Sequence, residues 1–265
     1  MTRIPSAPAV IYAVGDIHGR ADLLETALAL IDGHAAGRPA RIVFLGDYVD
    51  RGPDSRAVVE RLIGLERTGR AICLKGNHED LMVAALTDPT RVALSRWRAC
   101  GGQATLRAYG ADDDHDLMSA APSDHLRWLA GLPLTTADDH RIYVHAGLAP
   151  GVAFRNQSEE TCLWIREAFL RAGPKDFEAH VVHGHTPLWA GKPDPAAPEL
   201  LPHRTNLDTG AFATGRLSIG VFDPALPGGP TQVLTAVGPP AAYSRSAVAG
   251  PKAPREREPR RAPAW

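Results

Sequence analysis

The stretch Gly46-Asp-Tyr-Val-Asp-Arg-Gly-Pro-Asp-Ser55 follows directly on the apolar run Arg41-Ile-Val-Phe-Leu45. Gly, Pro and Asp are the usual turn formers, so one reading is a strand-to-loop corner and nothing more. The other is a place where charge is handled, and the surrounding chain has to decide. Upstream, 10–14 reads as a strand, and Leu23, Leu24, Ala27, Leu28 and Ile31 then recur at helical spacing until Asp32-Gly33 closes the helix. Downstream of the strand at 42–45, Val58, Val59, Leu62, Ile63 and Leu65 mark a second helix. A third strand over 71–74 and a helix from 79 to 86 complete a β-α-β-α-β rhythm. That rhythm specifies an α/β sheet with parallel pairs, whose working groups lie just beyond the carboxyl ends of its strands.

Residues 90–130 read as mainly helical, with Trp97 and Trp128 as packing anchors. Further strands are expected over 142–144, 181–182, 217–222 and 232–236, enough for a second sheet. The 265 residues suffice for a substantial core, and the net charge of −1 gives no global attraction to nucleic acid or an anionic membrane. Cys73, Cys100 and Cys162 are isolated and read as reduced thiols. The apolar run at 9–14 stops at Gly15-Asp16, too short for a membrane span and without a cleavage-site context, so a cytoplasmic chain is expected. From Gly238 on, Pro, Ala, Ser and Arg dominate and six Lys/Arg face only Glu256 and Glu258. The expected organisation is one domain over 1–237 and a disordered tail over 238–265.

Five expected strands end in a polar cluster beside glycine: Gly15-Asp16-Ile-His18-Gly, Gly46-Asp47 to Gly52, Gly76-Asn77-His78-Glu79, His145-Ala-Gly147 and His183-Gly-His185-Thr186. Any one of them is an ordinary turn or cap. A purely structural account gives no reason for one sheet edge to select metal-ligand side chains five times. Asp16 and His18 can reach one ion from an extended strand end, Asp47 can bridge two, and Asn77, His145 and His185 can complete the second. Mixed imidazole, carboxylate and amide ligands suit Mn, Fe or Zn better than an all-oxygen Mg or Ca cage. Two divalent ions against two ligand carboxylates leave a positive surplus, which fits an anionic substrate. Arg51 offers a fork-shaped cation for phosphate oxygens. His78 is placed to give the leaving oxygen a proton, with Asp50 orienting it.

GDIHG, GDYVDRG and GNHE, spaced about thirty residues apart, resemble the calcineurin-like metallophosphoesterases, and within them the phosphoprotein phosphatase branch in its compact bacterial and phage form. The resemblance runs from about residue 10 to 222. It implies a four-layer α/β/β/α sandwich of two mixed sheets flanked by helices. It implies Asp16, His18 and Asp47 on one metal, and Asp47, Asn77, His145 and His185 on the other, with manganese placed before iron or zinc. It further implies Arg51 and Arg166 as phosphate ligands, His78 as general acid and Asp50 as its partner. His183 is expected to support the site, and Asn206-Leu-Asp208-Thr-Gly210 to form its wall.

The activity expected first is hydrolysis of phosphoserine or phosphothreonine in proteins by direct attack of a metal-bound hydroxide. The preference rests on the run from Asp50 to Ser55. The alternative is hydrolysis of a dinucleoside polyphosphate such as diadenosine tetraphosphate. A catalytically dead phosphoprotein-binding module is disfavoured by the complete ligand set, and a nucleic-acid role rests only on the basic tail.

Overall fold

The Val10–Val14 strand (β2) is apolar on both faces, as a strand buried between two layers must be. In the computed structural model, which describes residues 2–4, 8–87, 91–112, 116–117, 120–187, 194 and 196–240, both faces are covered. β2 pairs in parallel with β3 (Ala40–Phe44), and β3 with β4 (Ala71–Cys73). On its other side β2 meets β10 (Arg216–Phe222) antiparallel, and β10 meets β11 (Gln232–Val237), giving the order β11-β10-β2-β3-β4. A second, six-stranded sheet runs β1-β5-β6-β7-β9-β8, from Thr2–Arg3, Thr135–Ala137, Arg141–Val144, His180–His183, Arg204–Asn206 and Glu199–Leu200. Its centre, β6-β7-β9, is parallel, β5 runs antiparallel to β6 and parallel to β1, and β8 runs antiparallel to β9.

Alternation along these strands builds the layers. Ile11, Ala13, Val43, Leu45, Ile72 and Leu74 pack against Tyr143, Val182, Leu207 and Phe222 between the two sheets. Val10, Tyr12, Val14, Ile42 and Phe44 face the other way, onto the helices Ala21–Ala35 (α1) and Ser55–Arg67 (α2). Ile142, Val144 and Val181 turn outward to Leu148, Cys162 and Phe169 beneath short helical segments. The result is the expected α/β/β/α sandwich of two mixed sheets, with a thin outer layer on the second sheet.

α1 does not stop at Asp32-Gly33. It runs through them to Ala35, which is buried, and ends at Ala36 in the left-handed conformation. A mid-helix glycine weakens a helix by only about 1 kcal/mol, less than the burial of its flanking turns supplies. The helix expected from residue 79 begins at Asn77 (α3, Asn77–Thr87), which brings Asn77 and His78 onto its first turn. The short strands β1, β5, β8 and β9 have no readable alternation and were not expected. Trp97 is wholly buried and Trp128 partly so, its indole N–H donating to Glu66 at 2.6 Å. No helix among the described residues is long and apolar enough to cross a membrane.

At the expected tail boundary the chain is still held, since the Gly238 N–H donates to Gly215 O and Arg20 donates to Pro239 O. The rest of the expected tail, 241–265, lies outside the described residues.

Candidate metal centre

The five polar clusters do not share one sheet. Three follow β2, β3 and β4, and two follow β6 and β7, so the site forms where the strand ends of both sheets meet. Close backbone approach makes this meeting possible. A Cβ on Gly76 would stand 2.3 Å from the Asp47 amide nitrogen. The Gly184 N–H donates to His145 O at 2.8 Å and ties the two later clusters together.

Among the described residues six non-glycine residues adopt positive φ, and five of them are His18, Asp47, Asp50, Arg51 and His185. Positive φ is costly for such residues and persists only where the surroundings enforce it. At these corners the backbone is bent to aim functional side chains. Glu79 enforces part of the bend. Its wholly buried carboxylate accepts the N–H groups of Asp47 (2.8 Å), Tyr48 (2.7 Å) and Gly76 (2.9 Å). Burial, followed by the Asp47 carboxylate, pushes Glu79 up to about 8. Both its oxygens nevertheless face N–H donors, the setting of an acceptor-only carboxylate, and a cation against Asp47 would relieve the push.

Two groups of buried side chains converge closely enough to hold a cation, His18-Asp47-His78 and Asp47-His145-His185, with Asp47 common to both. In the second, His145 Nε2 lies 3.4 Å from Asp47 Oδ1, 2.9 Å from Asn77 Oδ1 and 3.2 Å from His185 Nδ1. His185 Nδ1 is 2.7 Å from the same Asn77 oxygen. Burial holds the imidazoles of His18, His145 and His185 below their usual pKa and therefore neutral. His145 Nδ1 is 2.9 Å from Leu45 O and His18 Nδ1 is 2.9 Å from Val49 O, so the ring protons sit there. Each Nε2 is then a bare lone pair aimed inward. His145 Nε2 thus faces the Asn77 and Asp47 Oδ1 atoms as a third acceptor, and a cation between them resolves the repulsion. The residues fit a metal.

Asp16 belongs to neither of these groups. Its oxygens accept the His185 N–H at 3.1–3.2 Å, against the Cα of Gly184. Burial, then Asp208 and Asp47, holds its carboxyl well above the usual range. An adjacent cation would restore its charge.

Beside the first group, His78 Nδ1 meets Asp50 Oδ2 at 2.7 Å. Asp50 is itself locked by donors that the sequence reading did not identify. The Trp97 indole N–H reaches both oxygens at 3.0 Å, and the Thr105 hydroxyl donates to Oδ1 at 2.6 Å. The Asp50 N–H in turn donates to Thr105 Oγ1 at 2.9 Å and to Ser55 Oγ at 3.1 Å. Thr105 lies fifty-five positions along the chain from Asp50, and no local signal connects the two.

Arg51 Nη2 donates to His78 Nε2 at 3.0 Å, and its guanidinium lies 4.7 Å over the Phe212 ring. Phe212 is delivered by the short helix Ala211–Thr214 after the Asp208-Thr-Gly210 turn, which gives that turn a role in supporting Arg51. Arg166 donates to His185 O and Thr186 Oγ1 at 3.2 and 3.0 Å. His183 is wholly buried behind the site, with Nε2 3.3 Å from Arg204 Nη1, and joins neither group.

Glu79→Gln tests the template directly. The amide NH₂ would confront at least one backbone N–H, and a buried donor left unpaired costs roughly 1–3 kcal/mol. A urea titration of the metal-free protein should show a stability loss of about 2 kcal/mol. An unchanged midpoint would mean that Glu79 does not hold the Asp47 corner.

The model of the calcineurin-like phosphoesterase family matches residues 9–211. A symmetrical bis(5′-nucleosyl)-tetraphosphatase from Acidovorax sp. (strain JS42) is 34% identical over 194 residues, covering 72% of this chain and 59% of that protein. Its namesake from Janthinobacterium sp. (strain Marseille) is 35% identical over 140 residues, 52% of this chain and 44% of that one. The chain thus spans about half the length of these curated relatives. A crystal structure of a provisionally assigned diadenosine tetraphosphatase superposes with a TM-score of 0.63 at 24% identity, covering 89% of this chain and 97% of that one. With the family match running through all five strand-end clusters and the Asn206–Gly210 wall, the chain belongs to the calcineurin-like phosphoesterases.

Proposed function

We propose that the chain hydrolyses dinucleoside polyphosphates such as diadenosine tetraphosphate. The observation that carries this reading is the 34% identity over 194 residues to a bis(5′-nucleosyl)-tetraphosphatase. The sequence had put phosphoprotein hydrolysis first, on the run from Asp50 to Ser55. In the fold those residues serve internal tasks: Asp50 holds His78, and Ser55 receives the Asp50 N–H. A run committed to shaping the site carries little information about what the phosphate is attached to.

In this proposal Asp16, His18 and Asp47 hold one divalent cation, and Asp47, Asn77, His145 and His185 hold the second. Once bound, the pair would supply Lewis acidity and an activated water, with manganese, iron or zinc each suited to these donors. The remaining steps belong to the chain's own side chains. Arg51 and Arg166 hold the non-bridging oxygens of the scissile phosphate from two sides. The Asp50 carboxylate keeps the His78 Nδ1–H directed to itself. In this proposal Arg51, which lies 3.0 Å from His78 Nε2, turns to the phosphate, and a proton carried on Nε2 passes to the leaving oxygen.

The test is a comparison of kcat/KM for diadenosine tetraphosphate and a phosphoserine peptide, each with added manganese. The dinucleotide should be preferred by roughly 10²-fold or more, the discrimination expected when a site's polar groups are matched to one substrate. Turnover of the peptide alone would sink the proposal in favour of the protein phosphatase reading.

A further inference from the structure

We propose that Arg96, set over the Trp164 ring beside the site, binds a distal phosphate and makes the site selective for polyphosphates over single phosphates. The inference rests on the dinucleoside polyphosphate reading above and names the residue that would recognise the longer chain.

Arg96 and Trp97 are the last two residues of the helix Arg91–Trp97. Neighbours on a helix point about 100° apart, so when Trp97 turns inward to Asp50, Arg96 projects to the side. There its guanidinium carbon lies 4.6 Å from the centre of the Trp164 ring. Trp164 closes the helix Glu159–Trp164 two residues before Arg166, and its ring centre is 6.2 Å from that of His185. The stack therefore connects the helical segment after α3 to the wall that carries Arg166 and His185.

A stacked guanidinium keeps its binding capacity. The ring contacts its face, while its N–H donors radiate in the plane and remain available to an anion. Among the described residues no carboxylate lies within ion-pair distance of Arg96, and Asp80 on α3 feels its charge without pairing with it. Arg51 and Arg166 are likewise without a carboxylate partner among the described residues, and their contacts are to His78, His185 O and Thr186. Three guanidinium groups without a carboxylate partner are thus held against His78, against His185 and against the Trp164 ring beside it. One phosphate between Arg51 and Arg166 satisfies two of them. Arg96, displaced along the Trp164 ring, is placed for the next phosphates of an extended chain. Pinning by Trp164 also removes part of the ordering entropy that a free surface arginine would lose on binding.

The experiment uses p-nitrophenyl phosphate hydrolysis as the reporter, with free manganese held constant. Inhibition constants for inorganic tripolyphosphate and for orthophosphate are measured on the full chain and on Arg96→Gln, Arg96→Lys and Trp164→Leu. Loss of one charge-assisted contact should cut the preference for tripolyphosphate over orthophosphate roughly ten-fold in Arg96→Gln. Arg96→Lys and Trp164→Leu should fall between it and the wild type, because charge survives without the pinned plane. An unchanged ratio in Arg96→Gln overturns the assignment, as does an equal weakening of both inhibitors. Diadenosine tetraphosphate turnover by the wild type is read separately. If that turnover is absent while the ratio still depends on Arg96, the proposed substrate fails and the subsite stands. If it is present and the ratio is unchanged, only the subsite fails.

Discussion

Asp47→Asn is expected to reduce kcat/KM by roughly three orders of magnitude or more, with loss of at least one bound metal ion per chain. Asp47 is the residue common to both converging groups. Its Oδ1 lies 3.4 Å from His145 Nε2, and its Oδ2 lies 3.5 Å from His18 Nε2. Asparagine offers an oxygen to only one of those sides, and its NH₂ would point a donor where a cation is needed. Oδ1 also accepts the His78 N–H at 3.0 Å, so the substitution disturbs the seat of the proposed acid. Neutralising the carboxylate leaves the site cationic when loaded, which weakens the second cation as well. Calorimetric titration of the metal-free variant with manganese, beside p-nitrophenyl phosphate turnover, measures both effects. Two ions bound at wild-type affinity would contradict the shared-bridge arrangement, whatever happens to the rate.

Much of this candidate site was legible because its residues sit at strand ends. A parallel α/β rhythm places working groups at the carboxyl edge of the sheet, so Asp16, Asp47 and Asn77 could be read against the strands that precede them. His145 and His185 could be read in the same way, although they belong to the other sheet. Periodicity also located the principal strands and helices, because Ile11, Ala13 and Val43 alternate with Val10, Tyr12 and Ile42 between two different cores. What the sequence did not disclose depends on side chains brought together only by folding. Trp97 was read as a packing anchor, and its buried ring is one, but its indole N–H also fixes Asp50. Thr105 and Glu79 hold the site through buried hydrogen bonds whose partners lie about thirty to fifty-five residues away. Polarity and spacing carry no trace of such bonds. Substrate preference was less legible still, because Asp50 and Ser55 are occupied with His78, Trp97 and Thr105 and make no statement about the leaving group.

The same locked network makes His78 and Asp50 the second place where a single change should be costly. His78→Asn is expected to lower turnover of a poor leaving group by roughly 10²–10⁴-fold, and that of p-nitrophenyl phosphate much less, because an activated phenolate needs no proton to depart. Asp50→Asn should follow the same pattern through a different cause. Both Asp50 oxygens already accept from Trp97 and Thr105, and His78 takes the remaining acceptor position at 2.7 Å. An asparagine NH₂ there must confront one of these donors, so the imidazole loses the anion that holds its Nδ1 proton. Asp50 acts through His78, and the two losses should therefore not add. The double variant His78→Asn/Asp50→Asn should fall within a few-fold of His78→Asn alone. Full multiplication of the two effects would show that Asp50 works on the site by another route. Equal losses on good and poor leaving groups would remove His78 from the proton-donating role and leave it as a support for Asp47, whose Oδ2 it approaches to 3.9 Å.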